Sequence, residues 1–136
     1  MSNAPLLDVS GLTIAFPSGT PVADFGFRIA VGETVAVVGE SGSGKSLTAL
    51  AIMRLLPRTA RIATGTVRFQ GRDLFALPEP EMRRVRGREI AMIFQEPMTS
   101  LNPVLTVGKQ IAEVLRLHEG LRSEEHTSEL QSRFGI

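Results

Sequence analysis

Apolar positions along this chain fall into two periods, and the changes between them mark out the elements. Leu6 to Phe16 alternates loosely, as a strand does, and Pro17-Ser18-Gly19 supplies the turn that ends it. Phe25, Phe27 and Ile29 alternate with small or charged residues, which predicts a half-buried strand closed by Val31-Gly32-Glu33. Val35-Ala36-Val37-Val38 is a short, mostly β-branched run and reads as a buried strand. Leu47 to Leu56, rich in Leu, Ala, Ile and Met, predicts a buried helix that Pro57 stops. Thr64 to Phe69 reads as another strand and Gln70-Gly71-Arg72-Asp73 as its turn. Pro78 to Arg86 is a short charged helix, with Glu79 and Glu81 early and Arg83, Arg84 and Arg86 late, in keeping with the helix dipole. Ile90 to Phe94 is a second apolar strand, and Thr106 to Leu117 an amphipathic helix with Val107, Ile111, Val114 and Leu115 on one face. The fold class predicted is α/β.

Between the run ending at Val38 and the helix beginning near Leu47 lies Gly39-Glu40-Ser41-Gly42-Ser43-Gly44-Lys45-Ser46. It fits G-x-x-x-x-G-K-S/T, the P-loop pattern for nucleotide phosphates, in the strand–loop–helix setting that this pattern requires. Gly39, Gly42 and Gly44 lack a Cβ, so the loop can curl through positive φ and bring its backbone near a ligand. The curled amides converge as an anion nest, and the N-terminus of the following helix faces the same point. Lys45 can reach the β- and γ-phosphates as a point charge, and the Ser46 hydroxyl can ligate Mg2+. A glycine turn that merely capped a helix would need neither the lysine nor the third glycine.

Composition narrows the classes. With 136 residues, 43% of them hydrophobic, the chain suits one globular domain. A net charge of +1 gives no general field for nucleic acid or a membrane surface. The cluster Arg83, Arg84, Arg86 and Arg88 is balanced by Glu79, Glu81 and Glu89 and has no interleaved aromatics for base stacking, so a solvated helix face is expected and no nucleic-acid partner. There is no cysteine, hence no disulfide, thiol nucleophile or thiolate metal site. His118 and His126 have no partner at ligand spacing and read as surface histidines. No stretch approaches the roughly 20 apolar residues of a membrane span. The first residues lack the basic-then-apolar pattern of a signal peptide, so a cytosolic location is expected.

Taken together, GESGSGKS, then Gly65 to Leu74, then IAMIFQEPMTSLNPVLTVGKQI from Ile90 to Ile111 resemble the ATP-binding subunit of an ABC transporter. The wording of Met98 to Pro103 is similar to the oligopeptide, dipeptide and nickel importer branch. The resemblance runs from about Leu6 to Leu121. It implies a partial P-loop NTPase of the ABC nucleotide-binding type, with an antiparallel β subdomain from Leu6 to Ile29 and Thr64 to Phe69, a parallel core carrying the P-loop, and the start of a helical subdomain from about Val104. It implies that Phe16 stacks on adenine, where most members have tyrosine; a core phenylalanine at a strand end is the other reading. It implies that Gln95 ligates Mg2+ and contacts the attacking water; a carboxamide oxygen is a hard ligand that suits the ion. The implied nucleotide site is therefore Phe16, Gly39, Glu40, Ser41, Gly42, Ser43, Gly44, Lys45, Ser46 and Gln95, with ATP and Mg2+ as cofactors. Leu101, Val104 and Leu105 lie in the segment that, by resemblance, meets a membrane-embedded permease subunit. A second ATP-binding subunit completes the implied assembly, on the cytoplasmic side of the membrane, and the implied activity is ATP hydrolysis driving import of peptides or related solutes.

The chain departs from the family pattern after Leu121. The signature motif, a Walker B strand with its Asp-Glu pair and the switch histidine are absent, so no catalytic base is assigned and turnover by this chain alone is not expected. The strands that would flank 35–38 are also missing, leaving part of the core uncovered. Arg122 to Ser132 reads RSEEHTSELQS, which is similar to a translated sequencing-library adapter, so residues 1–121 are expected to be the N-terminal part of an ABC ATP-binding domain and 122–136 a non-native tail. The other reading of the tail is a polar helix, with Ser123 capping Glu124 to Leu130. Other functional readings stay open. Glu96, after an apolar run, half fits a Walker B carboxylate and would make this a different P-loop enzyme. An ABC ATPase of the DNA-repair type, or an interaction module that binds nucleotide without hydrolysis, are the remaining two.

Overall fold

The computed structural model of the chain describes residues 4–96 and 101–119. It divides into two compact units, residues 1–82 and 83–136. The order of elements is β1 (Leu7–Phe16), β2 (Gly19–Ile29), α1 (Lys45–Ile52), β3 (Arg61–Phe69), β4 (Arg72–Asp73), α2 (Glu79–Arg88) and α3 (Val107–Glu119).

The first unit is built on one antiparallel sheet with strand order β2-β1-β3-β4. This is the predicted β subdomain: β2 and β3 start earlier than their alternation suggested, β1 starts one residue later, and the expected turn at 70–73 opens into the two-residue β4. The alternation in β1 assigns its faces. Val9, Leu12 and Ile14 are buried, Asp8 is partly exposed and Ser10 fully so. Val9 and Leu12 are three apart, which a strict period of two cannot bury on one face. An extra residue at Gly11, with φ 60, restores the phase as a β-bulge, and the pairing with β2 and β3 shifts between Val9 or Ser10 and the residues after it. Both neighbouring strands meet the bulge with a glycine. A Cβ on Gly26 would lie 2.9 Å from the Val9 carbonyl oxygen, and one on Gly65, whose φ is 102, would lie 2.6–2.7 Å from the backbone of Gly11 and Leu12. On the polar face, Arg28, Asp8, Arg68 and Asp73 stand in one row across all four strands, alternating in sign, with Arg28 Nε 3.2 Å from Asp8 Oδ2.

The buried set of this unit joins Val9, Leu12, Ile14, Val22, Val67 and Phe69 of the sheet to Ala51, Ile52 and Met53 and to Leu74 and Met82. Helix α1 stops at Ile52, four residues before the predicted end. Arg54 takes φ 53 there and turns the chain. Its guanidinium donates to the carbonyls of Leu77, at 2.6 Å, and Leu74, at 3.4 Å, and lies 3.8 Å from the Glu79 carboxylate. The helix end is thus tied to the segment that leads into α2.

Two predicted strands do not form. Residues 35–38 run without strand pairing, with Val37 40% and Val38 89% exposed. Residues 91–94 are likewise unpaired, with Ile93 94% exposed, and Ile90 makes only an isolated bridge to Arg86. The predicted parallel core is therefore absent among the described residues. An apolar run supplies the tendency to be buried, but a strand needs a neighbour for its N–H and C=O groups, and neither run has one here. In the second unit, α2 is interrupted at Arg86 and Gly87, where φ reaches 87. Helix α3 forms one residue later than predicted and runs to Glu119. The proposed tail at 122–136, and the polar helix offered as its alternative, lie outside the described residues, as do Met98, Thr99 and Ser100 of the importer-like wording.

Candidate functional site

The glycine loop follows the unpaired run and delivers the chain into α1. Gly42 and Gly44 both have positive φ, 81 and 85, as the loop's curl demands. Gly44 is the residue that caps α1, and it is buried: a Cβ there would strike the Val22 side chain and lie 3.1 Å from the Pro21 carbonyl oxygen. Gly39 is needed for a different reason. A Cβ on it would sit 2.6 Å from Ser43 Oγ, inside the curl of the loop. The Ser43 amide donates back to the Glu40 carbonyl at 3.2 Å and closes the turn.

Lys45, the first residue of α1, folds its side chain back over the loop. Its ammonium donates to the carbonyls of Gly39 at 2.7 Å and Glu40 at 2.6 Å and to Ser43 Oγ at 3.1 Å. These use all three donors of the group and fix its charge at the mouth of the loop. One turn on, the Thr48 hydroxyl and amide both donate to the Gly44 carbonyl, at 3.0 and 2.9 Å. Thr48 is the buried polar residue of the described set, and this bond satisfies its hydroxyl. The glycine cap has no side chain to offer the first amides of α1, and the first turn carries no acidic residue. The positive end of the helix is thus left unneutralised by its own side chains, beside a lysine ammonium.

A cavity of about 230 Å3 opens at this point. Gly39, Ser43, Lys45 and Thr48 form its polar side, and Val22, Ala23 and Phe25 of β2 with Val37 and Val38 form its apolar side. Glu40, Ser41 and Ser46 are exposed and, like Gly42 and Gly44, are not among the residues that line it; Ser46 stands on the first turn of α1. Phe16 is half-buried at the end of β1, paired with Gly19, and is not among the residues that line the cavity. Gln95 and Glu96 belong to the other unit and are exposed there. The structure thus brings together the contiguous loop residues of the predicted site. The β2 wall was not foreseen, because its residues read only as strand alternation; the glycine at position 44, which lets Val22 approach, was the available signal.

A family model described as ABC transporter matches residues 22–136. The chain belongs to the ABC transporter family. Among relatives of this ABC chain, a Brucella abortus (strain 2308) protein named for peptide import and ATP binding is 49% identical over 129 residues, covering 92% of this chain and 39% of the relative. A Brucella ovis protein with the same kind of name is 48% identical over 149 aligned residues, covering the whole chain and 44% of the relative. The chain therefore spans about two fifths of the length of the curated relatives it matches. A bacterial Atm1-family ABC exporter, solved with ATP bound, superposes with a TM-score of 0.53 at 24% identity, over 64% of this chain and 15% of the exporter, and shows the ABC ATPase fold. Glu96 as the Walker B carboxylate of a different P-loop enzyme is set aside by this membership, and residues 90–94 do not form the strand such a carboxylate would end.

Proposed function

We propose that this chain holds ATP through its glycine loop and that, in the longer protein of which its relatives are examples, this loop serves an ATPase driving import of peptides or related solutes. The observation that carries the reading is the lysine geometry. Lys45 Nζ is held within 2.6–3.1 Å of three acceptors in a loop whose curl a Cβ at Gly39 would fill, at an uncapped helix N-terminus. These groups fit a phosphate: a bound anion meets the positive end of α1 and replaces one of the lysine's acceptors by a charged oxygen, which makes the stronger hydrogen bond. Ser46, exposed on the same turn, and Gln95 are the residues we assign to Mg2+, which when bound neutralises charge on the β- and γ-phosphates. Phe16 is assigned to the adenine. The relatives' names supply the importer reading.

Among the described residues no helix is long and apolar enough to cross a membrane. We assign membrane association to partner subunits on the cytoplasmic side, met through the segment that holds Leu101, Val104 and Leu105, with a second ATP-binding subunit completing the assembly. Residues 1–121 are assigned to the ATP-binding domain and 122–136 to a foreign tail. Reading the source locus past the codon for Leu121 tests that assignment. Genomic DNA that encodes 122–136 would overturn it and leave the family match through residue 136 as native sequence.

The functional test is a thermal shift of the chain with Mg-ATP. At about a hundred times the dissociation constant, binding adds roughly 2.7 kcal/mol to stability. Lys45→Met gives up three hydrogen bonds within the loop and is expected to unfold at a somewhat lower temperature without nucleotide, and to lose most of the shift that nucleotide adds to that baseline. An equal shift in Lys45→Met would overturn the assignment of the loop. Steady hydrolysis is not expected from this chain alone.

A further inference from the structure

In the second unit one side chain holds a whole turn in place. Gln110 lies in the first turns of α3, partly buried. Its Oε1 accepts the Asn102 amide at 2.9 Å, and its Nε2 donates to the carbonyls of Asn102 and Leu105, both at 3.0 Å. Asn102 adds to the same block: its Oδ1 accepts the Val104 amide at 3.0 Å and its carbonyl accepts the Leu105 amide at 3.2 Å. The Thr106 carbonyl and hydroxyl then accept from Gln110 and Lys109 at the start of α3. A carboxamide has two N–H donors and one acceptor oxygen, and here both donors and the oxygen bond to the backbone of a single turn.

An exposed loop does not need this. Water satisfies backbone groups at a surface, and an unbonded loop keeps its conformational freedom. The turn fixed by Gln110 instead carries exposed apolar side chains: Leu101 is 44%, Val104 87% and Leu105 42% exposed. Immobilising a contact segment before it binds removes part of the ordering cost from the association itself.

We infer that Gln110 is a positioning residue for partner docking: its carboxamide fixes residues 102–105 in advance, so that Leu101, Val104 and Leu105 meet an apolar segment of the membrane-embedded subunit already in their bound arrangement. The inference rests on the reading of this segment as the permease contact. It adds a residue that touches no partner and acts only through the backbone of its neighbours. Val104 is bonded to the turn through its amide alone, so its side chain can be changed without disturbing the carboxamide.

The experiment uses the full-length ATPase with its permease subunits and, in parallel, amide hydrogen exchange on the present chain. Gln110→Met keeps length and removes every polar contact. Gln110→Glu keeps the acceptor for the Asn102 amide and loses both donors. Val104→Ser removes the apolar contact and leaves the carboxamide bonds. Gln110→Met is expected to speed exchange at the Asn102 amide and to weaken association roughly tenfold, the order expected for one or two net hydrogen bonds, with Gln110→Glu in between. The faster exchange is expected to be confined to residues 102–105, with the amides of α3 still protected, which separates lost positioning from lost folding. Val104→Ser is expected to weaken association with exchange unchanged. If Val104→Ser weakens association and Gln110→Met does not, the inference fails and the docking reading survives. If neither changes association, the docking reading fails and takes the inference with it.

Discussion

Replacing Gly39 by alanine puts one methyl group into the curl of the glycine loop, and its effect can be worked out atom by atom. The new Cβ would lie 2.6 Å from Ser43 Oγ, 3.3 Å from Ser43 Cβ and 3.8 Å from Lys45 Cδ. The first of these is a collision, and the atom struck is the hydroxyl oxygen that accepts from Lys45 Nζ at 3.1 Å. Ser43 must therefore rotate away, and the lysine gives up one of its three acceptors. Overpacking costs about 1–3 kcal/mol in a core; in a loop this exposed the lower end applies, so a loss of about 1–2 kcal/mol is expected. Ser43→Ala alone removes only the hydrogen bond, about 0.5–1 kcal/mol. In the double variant the colliding oxygen is gone and the tight but tolerable approach of the two Cβ atoms remains. The double variant should then be little less stable than Ser43→Ala, giving a coupling of about 1 kcal/mol between the sites. Urea unfolding of the four proteins measures this, and Mg-ATP titration of the same four shows whether the lysine's displacement carries over to nucleotide. Additivity within about 0.5 kcal/mol would refute the proposed collision, and with it the account of why position 39 excludes a side chain.

Gly65→Ala should cost more than about 2 kcal/mol, because its Cβ meets backbone of Gly11 and Leu12 that cannot rotate aside, whereas Gly71→Ala, with φ 78 and open space around it, should cost only about 1 kcal/mol of backbone strain; thermal melts give the comparison. Val38→Ser should change stability by less than about 0.5 kcal/mol, since that side chain is 89% exposed, and a loss above about 1.5 kcal/mol in urea unfolding would mean that the run is covered in solution. At Arg54, with φ 53, glycine relieves the backbone and alanine does not, although both lose the bonds to Leu74 and Leu77, so Arg54→Ala should be less stable than Arg54→Gly by about 1 kcal/mol in urea unfolding.

What could be read from the sequence divides along the range of the interactions involved. The glycine loop is a local device. Its curl, its lysine and its helix lie within residues 39 to 52, and the structure shows positive φ at Gly42 and Gly44, the lysine folded back over the loop and the helix that follows. The strands of the β subdomain were legible because one buried face writes its alternation into the chain, but the loose alternation of Leu6 to Phe16 did not disclose the bulge at Gly11, which is defined by the register of its two neighbours. Residues 35–38 and 90–94 were misjudged for the opposite reason. Four or five apolar residues state a preference for burial, while pairing depends on a partner strand that no local pattern supplies. The apolar wall of the cavity was hidden in the same way: Val22 and Phe25 read as ordinary strand residues, and only the folded sheet brings them to Gly44 and Lys45. Gln110 was invisible as well, since its three bonds run to residues five and eight positions back, through a turn that has no fixed wording.

The bulge at Gly11 has a bearing on how this chain can change. A one-residue deletion inside a regular strand moves the residues on one side of it to the opposite face. Here the residue lost would be the inserted one: without Gly11, Ser10 is followed directly by Leu12, and plain alternation keeps Val9 and Leu12 on the buried face with Asp8 and Ser10 on the other. The row of alternating charges across the four strands would keep its Asp8, while the glycines at 26 and 65 would be left opposite nothing that needs them. The three glycines thus form a single heritable unit. A lineage could therefore lose the bulge without placing a carboxylate in the core, and a gap at this position in a related sequence would mark a regular strand, with positions 26 and 65 released from the close approach that excludes a side chain here.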